Sequence, residues 1–506
     1  MLRTARISAL RAPKPLYASS LLCQRRAATT DANVEKKEGD ISSVFRSLSG
    51  GDSSETLPQR FAEVKRNLIH DPVALQNSWN RLLAHLKVET EEIAKEGSNC
   101  IPEIDFSDIE RPSKDFSDAL RKRGVAVIRQ VVPEQEARAY KEEIEKYVAA
   151  NPSTKAFPPD DPQVFELYWS KPQLAARSHP NMIEAQKFLL SYYHSKDPNA
   201  PCSLQQPLTY ADRLRIRQPG DAGFSLGPHI DGGGVERWEK EGYGQGQVYD
   251  KIFEGKWEEF DAWELSTRLK AKQDLYNGAG ACSMFRMFQA WLAMSHTGPK
   301  EGTLLVNPLL SLSTSYFLLR PFFAPKKAWT SEPGSPYTPE YLDSDNWALA
   351  PPASPELQGA WPGHCQELNH VLHPHLNLPK TMVHVPQIRP GDYVAWHCDT
   401  IHAVDKVHGG KSDSSVLYIP ACPTTKINLD YVRKQREHFI QGIPPFDFPG
   451  GVGESQHVGR PDAAALKELS NEAALRAFGF APLDVAVAKE QEEASLLEYG
   501  NKVLGF

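Results

Sequence analysis

No stretch of about eighteen consecutive apolar residues occurs in the 506-residue chain, so no transmembrane helix is expected. A cationic surplus is missing too. Lys and Arg number 57 against 64 Asp and Glu, a net charge of −7, and the pI is near 6.2. That composition offers no basic stripe, so nucleic acid is not an expected partner. The seven cysteines are odd in number and scattered, and no CxxC occurs, which argues for reduced thiols inside a cell rather than a disulfide framework. No internal repeat is visible. Acids are absent from the first thirty residues, where Arg3, Arg6, Arg11, Lys14, Arg25 and Arg26 stand among Ser, Ala and Leu before Asp31. Residues 1–30 therefore read as a mitochondrial transit peptide, giving an expected address in the matrix. An incidental basic tail on a cytoplasmic protein is the alternative.

What is present is 40% apolar residues, enough for a full core, together with 40 Pro and 33 Gly, which favour long ordered loops over a helical bundle. Polar composition predicts a disordered linker over 31–57. Apolar residues then recur at three and four: Phe61, Val64, Leu68 and, past Pro72, Leu75, Trp79, Leu82, Leu83 and Leu86. This predicts a helical flank over 58–99. The main domain is expected over 100–430. It opens with a short helix closed by Gly124, the apolar strand Val125–Arg129, a helix begun by Pro133 and more helix over 164–195. Residues 235–280, charged and aromatic without a period, read as a long insertion over the site. Two apolar runs, 285–294 and 303–306, flank a Gly/Pro turn and predict a hairpin. Residues 321–379 read as Pro-rich loop, and strands resume at 381–385, 393–398, 401–404 and 414–419. A helical extension is expected over 431–506. Many short strands preceded by helices predict a mainly β fold with helical flanks (α+β), a cupin-like jelly roll or double-stranded β-helix.

The chemistry centres on Pro228-His229-Ile230-Asp231-Gly232-Gly233-Gly234. Residues i and i+2 of a strand share a face, so His229 and Asp231 can grip one ion. One more histidine completes the two-His-one-carboxylate triad of non-haem Fe(II) oxygenases. With sixteen histidines, about one H-x-D triplet arises by chance, and His397-Cys398-Asp399 is a second. His370, His373 and His375, around Pro374, read as a surface run. His384 reads as a packed or edge histidine. His402, between two late strands, is the best third ligand, ahead of His397. Upstream, Leu214 and Ile216 alternate with Arg213, Arg215 and Arg217. Those arginines form either a solvated outer face or, at one of them, a clamp for a carboxylate cosubstrate.

A resemblance enters here. Ala290-Trp-Leu-Ala-Met-Ser295, Thr297-Gly-Pro-Lys-Glu-Gly302, Thr303–Pro308, the Gly124–Val131 strand and Pro390-Gly391-Asp392 before His402 resemble phytanoyl-CoA dioxygenase-like proteins. The set Pro228–Asp231, Val235–Trp238, Phe285–Gln289, Leu319–Phe323, Trp396–His402 and Tyr418–Ala421 more closely resembles a fungal and bacterial family of unassigned function. That family, domain-of-unknown-function family 1479, is placed within the Fe(II)/2-oxoglutarate oxygenases. The likeness spans about residues 100–450.

The resemblance implies that His229, Asp231 and His402 hold Fe(2+) and that the chain uses 2-oxoglutarate and O2 to oxidise a small-molecule substrate. It departs in one place. Many relatives carry an Arg or Lys on the strand after the distal histidine, where this chain has Asp413, Ser414, Ser415 and Val416, with Lys411 nearby in a Gly-Gly-Lys loop. The tail carboxylate of 2-oxoglutarate then needs Arg215, Arg217, Arg286 or Lys411, with Ser415 assisting. A forked guanidinium suits a carboxylate better than an ammonium. Two other readings keep the barrel: a cupin-like metal enzyme without 2-oxoglutarate, and a non-catalytic scaffold or ligand-binding protein. Substrate identity and oligomeric state are not readable from these residues.

Overall fold

The computed structural model describes residues 36–47, 56–223, 225–330, 335–351, 353–448 and 450–506. The basic segment 1–30 lies outside them. Two larger sheets and two small ones are surrounded by helices, and among the described residues no sheet closes into a barrel.

The larger sheet has eight strands in the order Glu103–Asp105, Val125–Arg129, Tyr393–His397, Phe288–Ala293, Ser414–Tyr418, Leu214–Arg217, Val164–Phe165 and Ala156–Phe157. Only the first pair is parallel. Its central strands are buried on both faces, as their continuous Val, Ala, Leu and aromatic runs require. The second sheet has five antiparallel strands in the order Gln366–Glu367, His229–Ile230, His402–Val404, Leu304–Val306 and Val383–His384.

Local chemistry explains the flanks. Asp71 caps the helix Pro72–Glu96 by accepting from the Val73 and Ala74 amides, with Pro72 in the first turn where no amide partner is needed. Gly124 ends the helix Lys114–Arg123 at φ 68°. A Cβ there would sit 2.8 Å from Thr400 Oγ1, while its carbonyl accepts from the His397 amide. The chain turn beside the candidate ligands is thus tied to the start of the Val125–Arg129 strand. Beyond residue 425, the helices Lys426–Gln441 and Gln491–Leu504 pack together, and Leu429, Phe439, Leu496 and Leu497 form a second core with Trp169 and Leu208.

Four expectations need correction. The runs around Thr297–Gly302 are not a hairpin: Phe288–Ala293 joins the eight-stranded sheet and Leu304–Val306 the five-stranded one. Residues 321–379 are not simply loop. They contain the paired strands Phe323–Pro325 and Trp347–Leu349, the short helices Pro339–Leu342 and Leu378–Thr381, and the strand Gln366–Glu367 that pairs with His229–Ile230. Residues 164–195 begin with a strand, Val164–Phe165, before the helices Lys171–Ser178 and Pro180–Leu190. Within the supposed linker, residues 36–47 are ordered against the body, with Lys36, Ile41 and Phe45 buried.

Candidate metal centre

His229 and His402 lie directly opposite each other on neighbouring antiparallel strands, which brings their ring centroids to 4.1 Å. Asp231 leaves the strand two residues on, and its Oδ1 stands 3.4 Å from His229 Nε2. One ligand atom from each of the three falls within 4.8 Å of the others. The tautomers follow from the backbone. His229 Nδ1 is 2.7 Å from the Gly227 carbonyl and His402 Nδ1 is 3.1 Å from the Thr400 carbonyl. A carbonyl can only accept, so each Nδ1 carries the proton and each Nε2 keeps a lone pair for the shared space. Burial, reinforced by the neighbouring His229, pushes the His402 imidazole down to about 3, so it is neutral at physiological pH. Burial alone would raise the Asp231 carboxyl. The flanking His229 and His402 rings, with the Arg286 guanidinium 3.4 Å from Oδ2, outweigh it and hold the group well below the usual carboxylate range. Two neutral imidazole nitrogens and one carboxylate form a donor set that fits a divalent iron.

The second triplet does different work. His397 Nε2 donates to the Ala262 carbonyl at 2.9 Å, and its Nδ1 accepts from the Asp399 amide at 3.0 Å, so neither nitrogen is left for an ion. Asp399 is buried between Arg237 and Arg268, at 2.9 and 2.5 Å, and accepts from the Tyr249 hydroxyl. Arg237 in turn donates to the carbonyls of Asp231 and Gly232. His397-Cys398-Asp399 therefore braces the turn that carries Asp231. That turn runs through Gly233 at φ 74°, where a Cβ would meet the Gln273 carbonyl at 2.5 Å.

The triad opens on a cavity of about 130 Å³ between the two larger sheets. Gln289, Trp291, Arg215 and Trp396 line it from the eight-stranded sheet; Leu304 and Val404 do so from the other. The 235–280 insertion supplies Glu236, Gln273 and Asp274. Most of its aromatics are core, with Trp238, Tyr249 and Trp263 buried. Burial pushes the Glu236 carboxyl up to about 8.

The candidate carboxylate anchors divide sharply. The alternation over 210–217 does not give a solvated face, because Arg213, Arg215 and Arg217 are all buried. Arg217 is outside the cavity lining, and its Nε donates to Asp221 at 2.6 Å. Arg213 faces Asp212 and Glu166. Arg286 lines the cavity with Nη2 3.4 Å from Asp231 Oδ2 and Nη1 3.7 Å from Asp212. Arg215 also lines it, buried to 2% exposure, and donates to the Gly302 carbonyl at 3.2 Å. Among the described residues it has no carboxylate within ion-pair distance, and its Nε has no partner. Lys411 is exposed and away from the cavity. Ser415 is buried, outside the lining, and donates to Asp413, which Arg138 holds in a two-pronged pair.

The other histidines separate as well. His373 and His375 are not a surface run; both are buried, His375 among Trp79, Tyr316 and Trp347. His384, on an edge strand, meets Asp405 at 2.7 Å. Ile41, Val44 and Phe45 went unnoticed as cavity residues, although their i, i+3, i+4 spacing in a polar stretch was the available signal.

Residues 55–480 match the Gig2-like family. YbiU of Escherichia coli (strain K12), called an uncharacterized protein, is 28% identical over 435 residues, 82% of this chain and 96% of its own. The crystal structure of the GlcNAc inducible gene 2 protein from Candida albicans (DUF1479) is 31% identical with a TM-score of 0.78, covering 90% of this chain and 97% of its own. A Salmonella typhimurium LT2 structure described as a candidate oxidoreductase is 28% identical with a TM-score of 0.69, covering 84% and 99%. With 55–480 matched and the H-x-D turn inside that span, this chain belongs to the Gig2-like family.

Proposed function

We propose that this chain is a non-haem Fe(II)- and 2-oxoglutarate-dependent oxygenase of the double-stranded β-helix type, acting on a small molecule. The observation that carries the reading is the pair of Nδ1-to-carbonyl hydrogen bonds, which leave His229 and His402 Nε2 bare beside an ionised Asp231. Such second contacts are how proteins orient metal-binding histidines. His229, Asp231 and His402 would hold the iron, which when bound with 2-oxoglutarate supplies O2 activation for oxidising a substrate C–H bond. Arg286 steadies the second oxygen of Asp231. Arg215 is the fitting partner for the cosubstrate's tail carboxylate, since it is the lining arginine without a protein carboxylate. It also repairs the departure noted in the sequence: Arg215 lies in register with Val416, so the cation missing from the Ser414–Tyr418 strand comes from the strand beside it. Leu226, Leu304 and Val404 give the cavity an apolar wall.

The test is turnover. Protein loaded with Fe(II) and given 2-oxoglutarate and O2 should form succinate even without substrate, slowly, and His402→Ala should not. Iron binding without succinate under any condition would favour the cupin-like metal enzyme that dispenses with 2-oxoglutarate.

A further inference from the structure

The segment before the family-matched stretch forms part of the cavity wall. Ile41, Val44 and Phe45 point into the space that holds the triad, and the Phe45 ring stands edge-on to His229 at 4.7 Å. We propose that residues 36–47 are a strap, latched by Lys36, that sets the size of the small molecule admitted to the metal site; this rests on reading the cavity as the substrate site.

The strap is attached by polar contacts rather than by membership of a sheet. Lys36 Nζ is buried between Asp274 and Asp447, pairing with the first and lying 3.6 Å from the second, and it donates to the carbonyls of Ala281 at 2.5 Å and Gly278 at 3.3 Å. At its other end the Arg46 and Ser47 amides donate to Glu367 Oε1, at 2.5 and 2.9 Å, on the strand paired with His229. Between these anchors the Val44 carbonyl accepts from the Cys365 amide. Asp40 and Ser43 cap each other around a single turn, Ile41–Val44, that turns the apolar side chains inward. A buried ammonium enclosed by two carboxylates and two carbonyls is a specific fastening, because removing it leaves both acids uncompensated in an enclosed place. Asp274 itself lines the cavity, so the latch and the site share a wall.

Cys365 reports on the strap, since its thiol is buried, lines the cavity and packs with Ile41 and Phe45. The experiment uses the full, metal-free chain, with N-ethylmaleimide and the bulkier fluorescein-5-maleimide as probes and mass spectrometry to locate the adduct. In the parent chain Cys365 should react slowly with the small probe and not with the large one. Lys36→Met and Phe45→Ala should each speed modification at least tenfold and admit the large probe. Cys422, buried in the other core, should stay protected and so exclude general unfolding. Equal labelling of parent and both variants would overturn the strap. Acceleration in Phe45→Ala but not in folded Lys36→Met would overturn the latch; should Lys36→Met fail to fold, Phe45→Ala carries the test. The readout needs no iron or cosubstrate, so failure of the oxygenase reading would leave it unaffected.

Discussion

His229 and Asp231 were legible in the chain because i, i+2 spacing on a strand means the same thing in almost any β fold. The two H-x-D triplets look alike as text, and they differ in where their imidazole nitrogens are spent. His402 keeps Nε2 for the cavity, whereas His397 gives both nitrogens to the backbone. Anaerobic Fe(II) titration should therefore show about one iron per chain, lost in His229→Ala, Asp231→Ala and His402→Ala. It should be retained in a folded His397→Ala variant; loss in His397→Ala alone would reverse the assignment. Asp399 acts at one remove, through Arg237 and the Asp231 carbonyl. Asp399→Asn should weaken iron about 10- to 100-fold without abolishing it. It should also cost about 3–5 kcal/mol of stability, because Arg268 and Arg237 lose their buried counter-ion. Unchanged iron affinity in that variant would remove the bracing role.

At the scale of elements, local signals were readable where one rule dominates. Pro72, Gly124 and the run Val125–Arg129 behave as capping, left-handed geometry and two-face burial demand. Pairing was not readable. The Phe288–Ala293 and Leu304–Val306 strands are separated by a good turn, yet each finds a partner far along the chain in a different sheet. The arginines at 213, 215 and 217 show the same limit, since alternation predicts one dry face and cannot reveal that carboxylates and carbonyls wait on the other. His373 and His375 were hidden by the prolines and polar residues around them, though Trp79, Tyr316 and Trp347 close over His375 and Tyr316 also reaches His373. The glycine turn gives a sharp element-level test. Gly233→Ala needs a side chain at φ 74° and 2.5 Å from the Gln273 carbonyl. It should destabilise the fold by more than about 1 kcal/mol and weaken iron binding; alanine at exposed Gly220, also left-handed at φ 87°, bears the backbone strain but meets no atom within 4 Å and should lose less. Equal denaturation midpoints for the two variants would show that the turn has room to relax.

For the whole molecule, buried neutral histidines set an acid limit. Burial, with the Arg320 cation adding to it, pushes His373 and His375 down to about 3. Unfolded histidine titrates near 6.5, so below that pH the unfolded chain takes up protons that these two groups refuse while folded. Their contribution is complete above about pH 6.5 and is lost as pH falls toward 3, at up to about 1.4 kcal/mol per pH unit for each. Glu236 and Glu454, raised by burial to about 8 and about 7, act in the opposite sense. Replacing one histidine isolates its share. The urea midpoint of metal-free protein should fall from pH 6.5 to 4.5, and His375→Gln should fall less; equal losses would mean His375 is protonated in the fold.

The account as a whole stands on a cavity that joins a metal triad to one uncompensated arginine. Its most direct test is an anaerobic titration of Fe(II)-loaded protein with 2-oxoglutarate, followed by the metal-to-ligand charge-transfer absorption. The parent chain should develop the band, and Arg215→Met should need roughly 10²-fold more 2-oxoglutarate while keeping its iron. Arg217→Met, if folded, and Lys411→Met should titrate like the parent. A parent chain that binds iron but never develops the band, or an Arg215→Met variant that titrates unchanged, would contradict it.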